Sequence, residues 1–600
     1  LASVAAGGVL AVSLVAACGG SSGGGGTSNE GTPVKGGKLT MLGVGDLDHV
    51  DSAAWYYTTD YELANLTLRQ LVTYDRKGAG KGYPGTKIFG QTPVPDAAKE
   101  IPTTGNGGIT NGGKTYTFHI KPGIKWNTSP PRQVTAADFI RGIARTCNPI
   151  APFGALSYFQ STIVGFDKFC SGELALDLSK ANGATVFKSY IDTKTPTVTG
   201  MKASDATTLV FTLNKPANDW LNILALAVAS PVPVEYLKYK PDSPQLKDNL
   251  LSCGPYKIDK YIQTKTIDLS RNPAWDGTTD DNRKAYVDSI HIVENLTQEA
   301  VQQQIQAGTA DMEWDTFPVA TTVPALLAAK DPNLSINDTS SSNPYLVFNT
   351  VSPNNNGAMT KKEVRQAISY AVNKTNVLQV LGGKLLNNQL NQVLPTVIKG
   401  GETQFEPYPY DAAKAKSMLT AAGYPNGITI KLLYRTVSKG STKAATTLQA
   451  DLPKAGIKVQ LVGTNNQDFY GKYLQVKPNI TKKGLWDAAL AGWGADWDGN
   501  AARTFFLPLF DGRSLAPESS NFGDYNNPAV NALIDQALSA SSVDAASALW
   551  HQADQKVMED AAFVPLTNPR QANYHNSKRV HNFIYTDAFQ NGDPTNIWLK

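Results

Sequence analysis

The sequence predicts an α/β protein built from more than one domain. Three observations carry that prediction. First, 600 residues are too many for one hydrophobic core, and chains of this size divide into about two to four domains. Second, strand and helix patterns alternate through residues 297–565, which favours a mixed sheet with ligands at its strand ends. Third, residues 486–500 begin as a short apolar run, Ala488 to Ala491, of the kind a buried strand shows. That run is expected to break at Gly492 and Gly494, where the backbone can leave the sheet and approach a partner closely.

The N-terminus reads as a processing signal. Residues 1–17 are apolar and uncharged, and the run ends Leu14-Val15-Ala16-Ala17-Cys18-Gly19. This is the apolar segment of a secretory signal followed by small residues and a cysteine. The run looks like a bacterial lipobox, which implies cleavage before Cys18 and diacylglycerol on its thiol. The sequence starts without Met or a basic segment, so the expectation is a signal that has lost its first residues. Residues 18–36 then form the lipidated cysteine and a Gly/Ser-rich tether that cannot bury surface. The combination describes a protein anchored at the outer face of the cytoplasmic membrane, not spanning it.

Ordered structure is expected from Gly37, with residues 38–42 as the first strand. Residues 61–74 carry Leu63, Leu66, Leu71 and Val72 at helical spacing. Residues 77–113 are rich in Gly and Pro and read as irregular. In residues 114–121, Tyr116, Phe118 and Ile120 alternate with polar neighbours, as in a half-buried strand. Thr135 caps a helix over residues 136–145, with Asp138 adding favourable charge to its first turn. Residues 205–215 read as a strand, 220–229 as an apolar helix, 256–271 as a hairpin and 289–294 as a strand.

Thr297 caps a helix over residues 298–307 that Gly308 stops. Strands follow at residues 311–314 and 345–349. Thr360-Lys361-Lys362-Glu363 has the spacing of a capping box. Asp411 caps a helix that ends at Gly423. Residues 428–434 and 457–462 are strands flanking a helix at 441–454. Asn527-Pro528 opens another helix, residues 545–560 form the last one, and residues 563–566 return as a strand.

Composition excludes several functions. A net charge of +4 spread over this length offers no basic face for nucleic acid. No later stretch reaches the ~18 uninterrupted apolar residues of a membrane helix. The six histidines form no His-Glu-x-x-His, and none stands near a cysteine at zinc-ligand spacing. There is no Gly-x-Ser-x-Gly elbow and no phosphate loop. Asp496 and Asp498 could be imagined as a glycosidase pair, but sequence gives no separation. The expectation is a protein that is not an enzyme and needs neither cofactor nor metal.

With Cys18 lipidated, Cys147, Cys170 and Cys253 remain. An oxidising compartment permits a disulfide, and all three pairings stay open. Joining Cys147 to Cys170 would close a loop worth roughly 3 kcal/mol in the chain-entropy account and leave Cys253 as a buried thiol.

The site-like stretch lies just past the expected strand end. Trp493, Asp496 and Trp497 place a carboxylate between two indoles. Such a group suits an ammonium, which takes a charge-assisted hydrogen bond and is attracted by the ring faces. The bland alternative is two packed tryptophans and a turn aspartate.

Several stretches, in order, resemble the peptide/nickel class of extracellular solute-binding proteins, the receptors of ABC importers. They include residues 66–72, Thr115-Tyr116-Thr117-Phe118-His119-Ile120-Lys121-Pro122-Gly123-Ile124-Lys125-Trp126, Val134-Thr135-Ala136-Ala137-Asp138-Phe139 and Cys253-Gly254-Pro255-Tyr256. Val364-Arg365-Gln366-Ala367-Ile368 with Ala371, Ala421-Ala422-Gly423-Tyr424-Pro425 and Gly492-Trp493-Gly494-Ala495-Asp496-Trp497 complete the set. Ser252 and Cys253 depart from the family's Gly-Thr-Gly-Pro-Tyr turn. The resemblance spans residues 37–580 and is closest to the oligopeptide- and dipeptide-binding members.

It implies a two-lobed periplasmic-binding-protein-like fold with mixed sheets and a hinge of two crossing segments, near residues 294–297 and 565–568. Lobe one would be residues 37–76, 201–296 and 566–600. An extra subdomain would be residues 77–200, and lobe two residues 297–565. It also implies ligand capture by hinge closure, delivery to an ABC permease and a monomeric receptor. Asp496 would hold a peptide's ammonium and Trp493 would line the pocket, with Trp497 in place of the family's tyrosine. Trp55 and Tyr56, after the first strand, are candidate pocket aromatics. An oligosaccharide or a metal chelate is the alternative ligand.

Overall fold

Lys38–Leu42 lies parallel to Ser289–Val293, with Leu39 opposite Ile290 and Met41 opposite Ile292. All four side chains are buried, so this pair is the spine of the first core. Around it the sheet runs Tyr256–Ile262, Thr266–Arg271, Ser289–Val293, Lys38–Leu42, Met312–Glu313. The computed structural model describes residues 31–76, 87–88, 90–337, 340–436, 438–465, 468–474, 480–497, 499–513 and 519–600. The expected signal, the lipid-bearing Cys18, nearly all of the tether and Asp498 lie outside the described residues. Pro33–Lys600 forms one compact unit, and no helix among the described residues is long and apolar enough to cross a membrane.

The second sheet runs Ile457–Thr464, Ile428–Arg435, Ala488–Gly494, Ser342–Phe348, Phe563–Pro565. Its first three strands are parallel, while Ser342–Phe348 is antiparallel to both of its neighbours. Leu346, Phe348, Ile430, Leu432 and Leu490 form one side of its core. Val364, Ala367 and Ile368 of the helix Lys362–Ala371 join the same cluster.

The passage between the two sheets falls later than expected. Met312–Glu313 still pairs with Lys38–Leu42 in the first sheet, and the second sheet is entered only at Ser342. The strand pattern at residues 311–314 therefore belongs to lobe one, and a switch at residues 294–297 is too early. Outgoing and returning chain run side by side. Leu334–Ile336 pairs antiparallel with Ala572–Tyr574, and Tyr345 to Val347 with Pro565 to Phe563.

The extra subdomain also extends past its expected limit at residue 200. Its sheet runs Ile109–Thr110, Thr115–His119, Thr208–Thr212, Met201–Ala203, so the last two strands belong to it and not to lobe one. Cys147 and Cys170 are joined within it, with Cα atoms 5.2 Å apart. Cys253 is a buried free thiol, which burial pushes up to about 12.

Two capped helices are found where expected. Ala136–Arg145 and Gln298–Ala307 keep their expected bounds. Thr135 N–H donates to Asp138 Oδ2 at 2.9 Å, and Thr297 Oγ1 accepts from Ala300 N–H at 3.2 Å. The capping box at Thr360 does not form. Thr360 ends the short 3₁₀ turn Ala358–Thr360, and its hydroxyl turns back to Gly357 O. The helix instead starts after Lys361, without a side-chain cap. The expected helix over residues 61–74 is Thr58–Thr67 followed by the strand Val72–Tyr74. The chain leaves helical geometry at Leu68, and the next residue, Arg69, enters a buried ion pair with Asp96. Residues 220–229 shorten to the helix Trp220–Ile223 and a 3₁₀ turn, Ala227–Ala229.

Candidate functional site

Ala488–Gly494 is one uninterrupted strand, which corrects the expected break. Gly492 still pairs with Pro344, and Gly494 with Ser342. A Cβ at Gly492 would come no nearer than 3.9 Å to Pro344 Cα, and one at Gly494 would lie 3.6 Å from Ser342 Oγ. Neither glycine is forced by a close approach within the chain. The strand ends at Gly494, and Asp496 follows in the bend beyond it.

There the carboxylate meets two phenols from distant chain. Tyr56 Oη donates to Asp496 at 3.1 Å to Oδ1 and 3.3 Å to Oδ2, and Tyr158 Oη donates to Oδ2. Tyr56 follows the first strand of lobe one. Tyr158 sits on the four-residue helix Ser157–Gln160 of the subdomain. Burial raises Asp496 to about 6, although the two phenol hydrogen bonds pull the other way. Desolvation leads, followed by the Asp496 charge, in holding both tyrosines well above their ordinary range, so they stay neutral donors. No lysine or arginine hydrogen-bonds or ion-pairs with Asp496 among the described interactions. A carboxylate held this way is an anion that has lost much of its water and gained only neutral partners.

The expected aromatics divide. Trp497 is buried, edge-on to Tyr158 at 5.3 Å between ring centres, and its indole N–H is taken by Asn500 O at 2.7 Å. Trp493 is half-buried, with its N–H on Thr504 O at 2.7 Å. Both indoles therefore offer faces and edges, not donors. Trp55 is buried in the main core and donates to His49 O at 2.8 Å, with no hydrogen bond to Asp496 among the described residues. Tyr56 is the one of that pair that reaches the carboxylate.

Asp496 and Trp497 line a narrow cavity of about 40 Å³ together with Tyr61, Asn65, Arg76 and Asn222, among others. Beside it the second lobe grips the first and the subdomain. Arg503 pairs with Asp219 at 3.2 Å and donates to Ser161 Oγ and Thr162 Oγ1, each at 3.0 Å. Asn500 Nδ2 donates to Asn218 O at 3.2 Å and to its Oδ1 at 3.0 Å. Among the described residues no three His, Cys, Asp or Glu side chains gather to hold a metal ion.

Tyr158, Tyr61 and Arg503 are the contributors that sequence reasoning missed. Tyr158 lies 338 residues before its partner on a helix too short to show a period.

The model of bacterial extracellular solute-binding proteins, family 5, matches residues 92–513. Heme-binding protein A of Haemophilus influenzae is 26% identical over 477 residues, covering 77% of each chain. The periplasmic oligopeptide-binding protein of Salmonella typhimurium is 25% identical over 501 residues, 81% of each. Among solved structures, clavulanic acid biosynthesis oligopeptide binding protein 2 superposes with a TM-score of 0.79 at 22% identity, over 94% of this chain and 96% of its own. A Helicobacter pylori periplasmic binding protein solved with the peptide STSA gives 0.68 at 22% identity, over 94% of this chain and 98% of its own.

Proposed function

The chain belongs to the bacterial extracellular solute-binding proteins of family 5, and from that premise we propose that it captures peptides for an ABC importer, with Asp496 holding the ligand's free amine. The observation that carries this reading is the carboxylate itself. It lines an interlobe cavity, it is raised to about 6 by burial, and among the described residues its hydrogen-bond partners are neutral phenols. An ammonium supplies the missing charge, and in a dry site a charge-assisted hydrogen bond is strong. The dipeptide- and oligopeptide-binding names among the relatives support the same ligand class.

Capture proceeds by hinge closure. The contacts of Tyr56 and Tyr158 with Asp496, of Asp219 with Arg503 and of Asn218 with Asn500 join distant parts of the chain across the cleft and support a closed form that opening would break. A ligand drives closure by binding that form better than the open one. The paired crossing strands are the hinge. A lipid on Cys18 and the tether up to residue 36 keep the receptor beside a permease that reads the closed form, and the receptor works as a monomer.

The test is to denature the purified protein and identify by mass spectrometry the small molecules it releases. Short peptides with free amino termini are the expected result. A sugar or a metal chelate would keep the receptor fold and discard the amine anchor. Unchanged peptide affinity in Asp496→Asn would discard it as well.

A further inference from the structure

Cys147 and Cys170 are joined, and the residues between them make the subdomain's face toward lobe two. Tyr158 donates to Asp496. Ser161 Oγ and Thr162 Oγ1 each accept from Arg503 at 3.0 Å. The Arg503 guanidinium also lies over the Tyr158 ring, 5.6 Å from its centre. Phe153 meets the Tyr56 ring edge-on, with centres 5.2 Å apart. Gly154 stands so close to the same ring that a Cβ there would lie 2.8 Å from Tyr56 Cδ1. One disulfide-closed loop therefore touches Tyr56, Asp496 and Arg503.

Little regular structure holds this loop. It contains the four-residue helix Ser157–Gln160 and the start of Phe166–Leu174. An isolated helix of one turn is unstable in water. Its inside is a chain of rings, Phe153 to Phe159, Phe159 to Phe166 and Phe166 to Phe169, with centres 6.1, 6.2 and 5.7 Å apart. Its ends are fixed by the disulfide, and both cysteines are buried. Cys147 lies two residues past the helix Ala136–Arg145, and Cys170 sits on the helix Phe166–Leu174. Arg145 in turn pairs with Asp51, five residues before Tyr56. The bond thus ties the loop to the segment that delivers the other phenol.

We infer that the Cys147–Cys170 disulfide is a positioning element for ligand capture, holding the loop in the shape the closed cleft needs, so that Tyr158 meets Asp496 and Ser161 and Thr162 meet Arg503. A loop left free would have to be ordered at the moment of closure, and that ordering subtracts from affinity. A covalent constraint removes the cost in advance. The inference rests on capture by lobe closure and adds the source of rigidity on one closing face.

Two variants of the full chain test it. One carries Cys147→Ala with Cys170→Ala. The other is Gly154→Ala, which keeps the disulfide and sets a methyl against Tyr56. A pool of synthetic tripeptides with free amino termini is offered to the wild type. The peptide retained best is then titrated calorimetrically into each variant, at a temperature where circular dichroism shows it folded. Both variants should bind roughly tenfold more weakly. The cysteine pair is also combined with Arg503→Gln. If the disulfide places Ser161 and Thr162 for Arg503, the combined loss should be clearly smaller than the product of the separate losses, since coupled sites do not act independently. A disulfide that serves stability alone would lower the unfolding temperature and leave affinity at the wild-type level. That result overturns the inference, and so does a combined loss equal to the product. If the cysteine variant does not fold, Gly154→Ala decides, and wild-type affinity there overturns the inference. If the wild type retains no peptide, the peptide reading falls, and hydrogen exchange of the unliganded protein decides on the disulfide. The amides of Phe159 to Thr162 should exchange faster without it, and equal rates overturn its positioning role.

Discussion

The carboxylates of the buried ion network and the half-buried carboxylate of Asp496 sit in opposite electrostatic surroundings. Inside lobe one, Asp96, Asp280 and Asp593 face Arg69, Arg76 and Arg283, all with little or no exposure. Arg283 binds Asp96 with both terminal nitrogens, at 2.9 and 3.0 Å. Burial alone would raise Asp280, but Arg283, Arg69 and Arg76 outweigh it and hold its carboxyl far below the usual range. At the lobe boundary, Asp496 has phenols instead of guanidinium groups and rises to about 6. The same side chain is a fixed strut in one place and a waiting charge in the other. The difference lies in whether the chain supplies the counter-charge itself.

Breaking the strut should have the largest effect. Arg283→Met leaves Asp96 and Asp280 short of a buried partner, and loss of about 3–5 kcal/mol is expected in chemical denaturation. Folded molecules of that variant should still bind ligand normally. If Arg283→Met is as stable as the wild type, the network is not what holds lobe one, and the contrast with Asp496 loses its meaning.

Asp496→Asn should behave in the opposite way. Affinity for free-amine peptides should fall on the order of a hundredfold, as when one partner of a buried charge pair is truncated. Denaturation should show no loss of stability, because the amide relieves an uncompensated buried anion. A variant that binds normally but unfolds early would make Asp496 a strut after all.

Arg503 lies between the two cases, since its partner Asp219 belongs to the other side of the cleft. Arg503→Gln should cost the closed form more than the open one, which water can solvate. Peptide binding should weaken roughly tenfold through a smaller closed fraction. X-ray scattering should show a wider average shape with little change in stability.

The smallest effect is in pH. With Asp496 at about 6, amine-ligand affinity should fall roughly fourfold between pH 7 and pH 5.5 as the carboxylate takes a proton. Stability of the unliganded protein moves the other way. The folded value is raised above the unfolded one, so the favourable contribution is complete below about pH 4 and is lost as pH rises through about 6. Titrations of Asp496→Asn should lack the affinity slope and show a shallower stability slope.

The parts of this design that are local in sequence could be read from it. Helix Gln298–Ala307 was legible because Thr297 and Gly308 bracket it within one turn. Asp496 was legible because an aspartate between two indoles is unusual chemistry in any fold. What failed depended on distant chain. Thr360 has the spacing of a cap, but the residues before it form their own 3₁₀ turn and take its hydroxyl. Met312–Glu313 reads as a strand without revealing which sheet it completes. Trp55 and Tyr56 are neighbours with opposite fates, one in the core and one at the carboxylate. Tyr158 reaches Asp496, and Tyr61 the cavity beside it, through folding alone, and no spacing rule connects residues more than 300 positions apart.

The side-by-side pairing of the crossing segments also bears on inheritance. The second sheet begins at Ser342 and ends at Pro565, and Tyr345 sits directly opposite Pro565. Entry and exit of that whole stretch are thus neighbours in space, as the ends of an inserted domain are. A recombination event could exchange residues 342–565 as a cassette while lobe one kept its buried ion network intact. The residues that hold the far side of a ligand could in that way be replaced together, leaving Tyr56, Tyr61 and Tyr158 behind as a fixed half of the site.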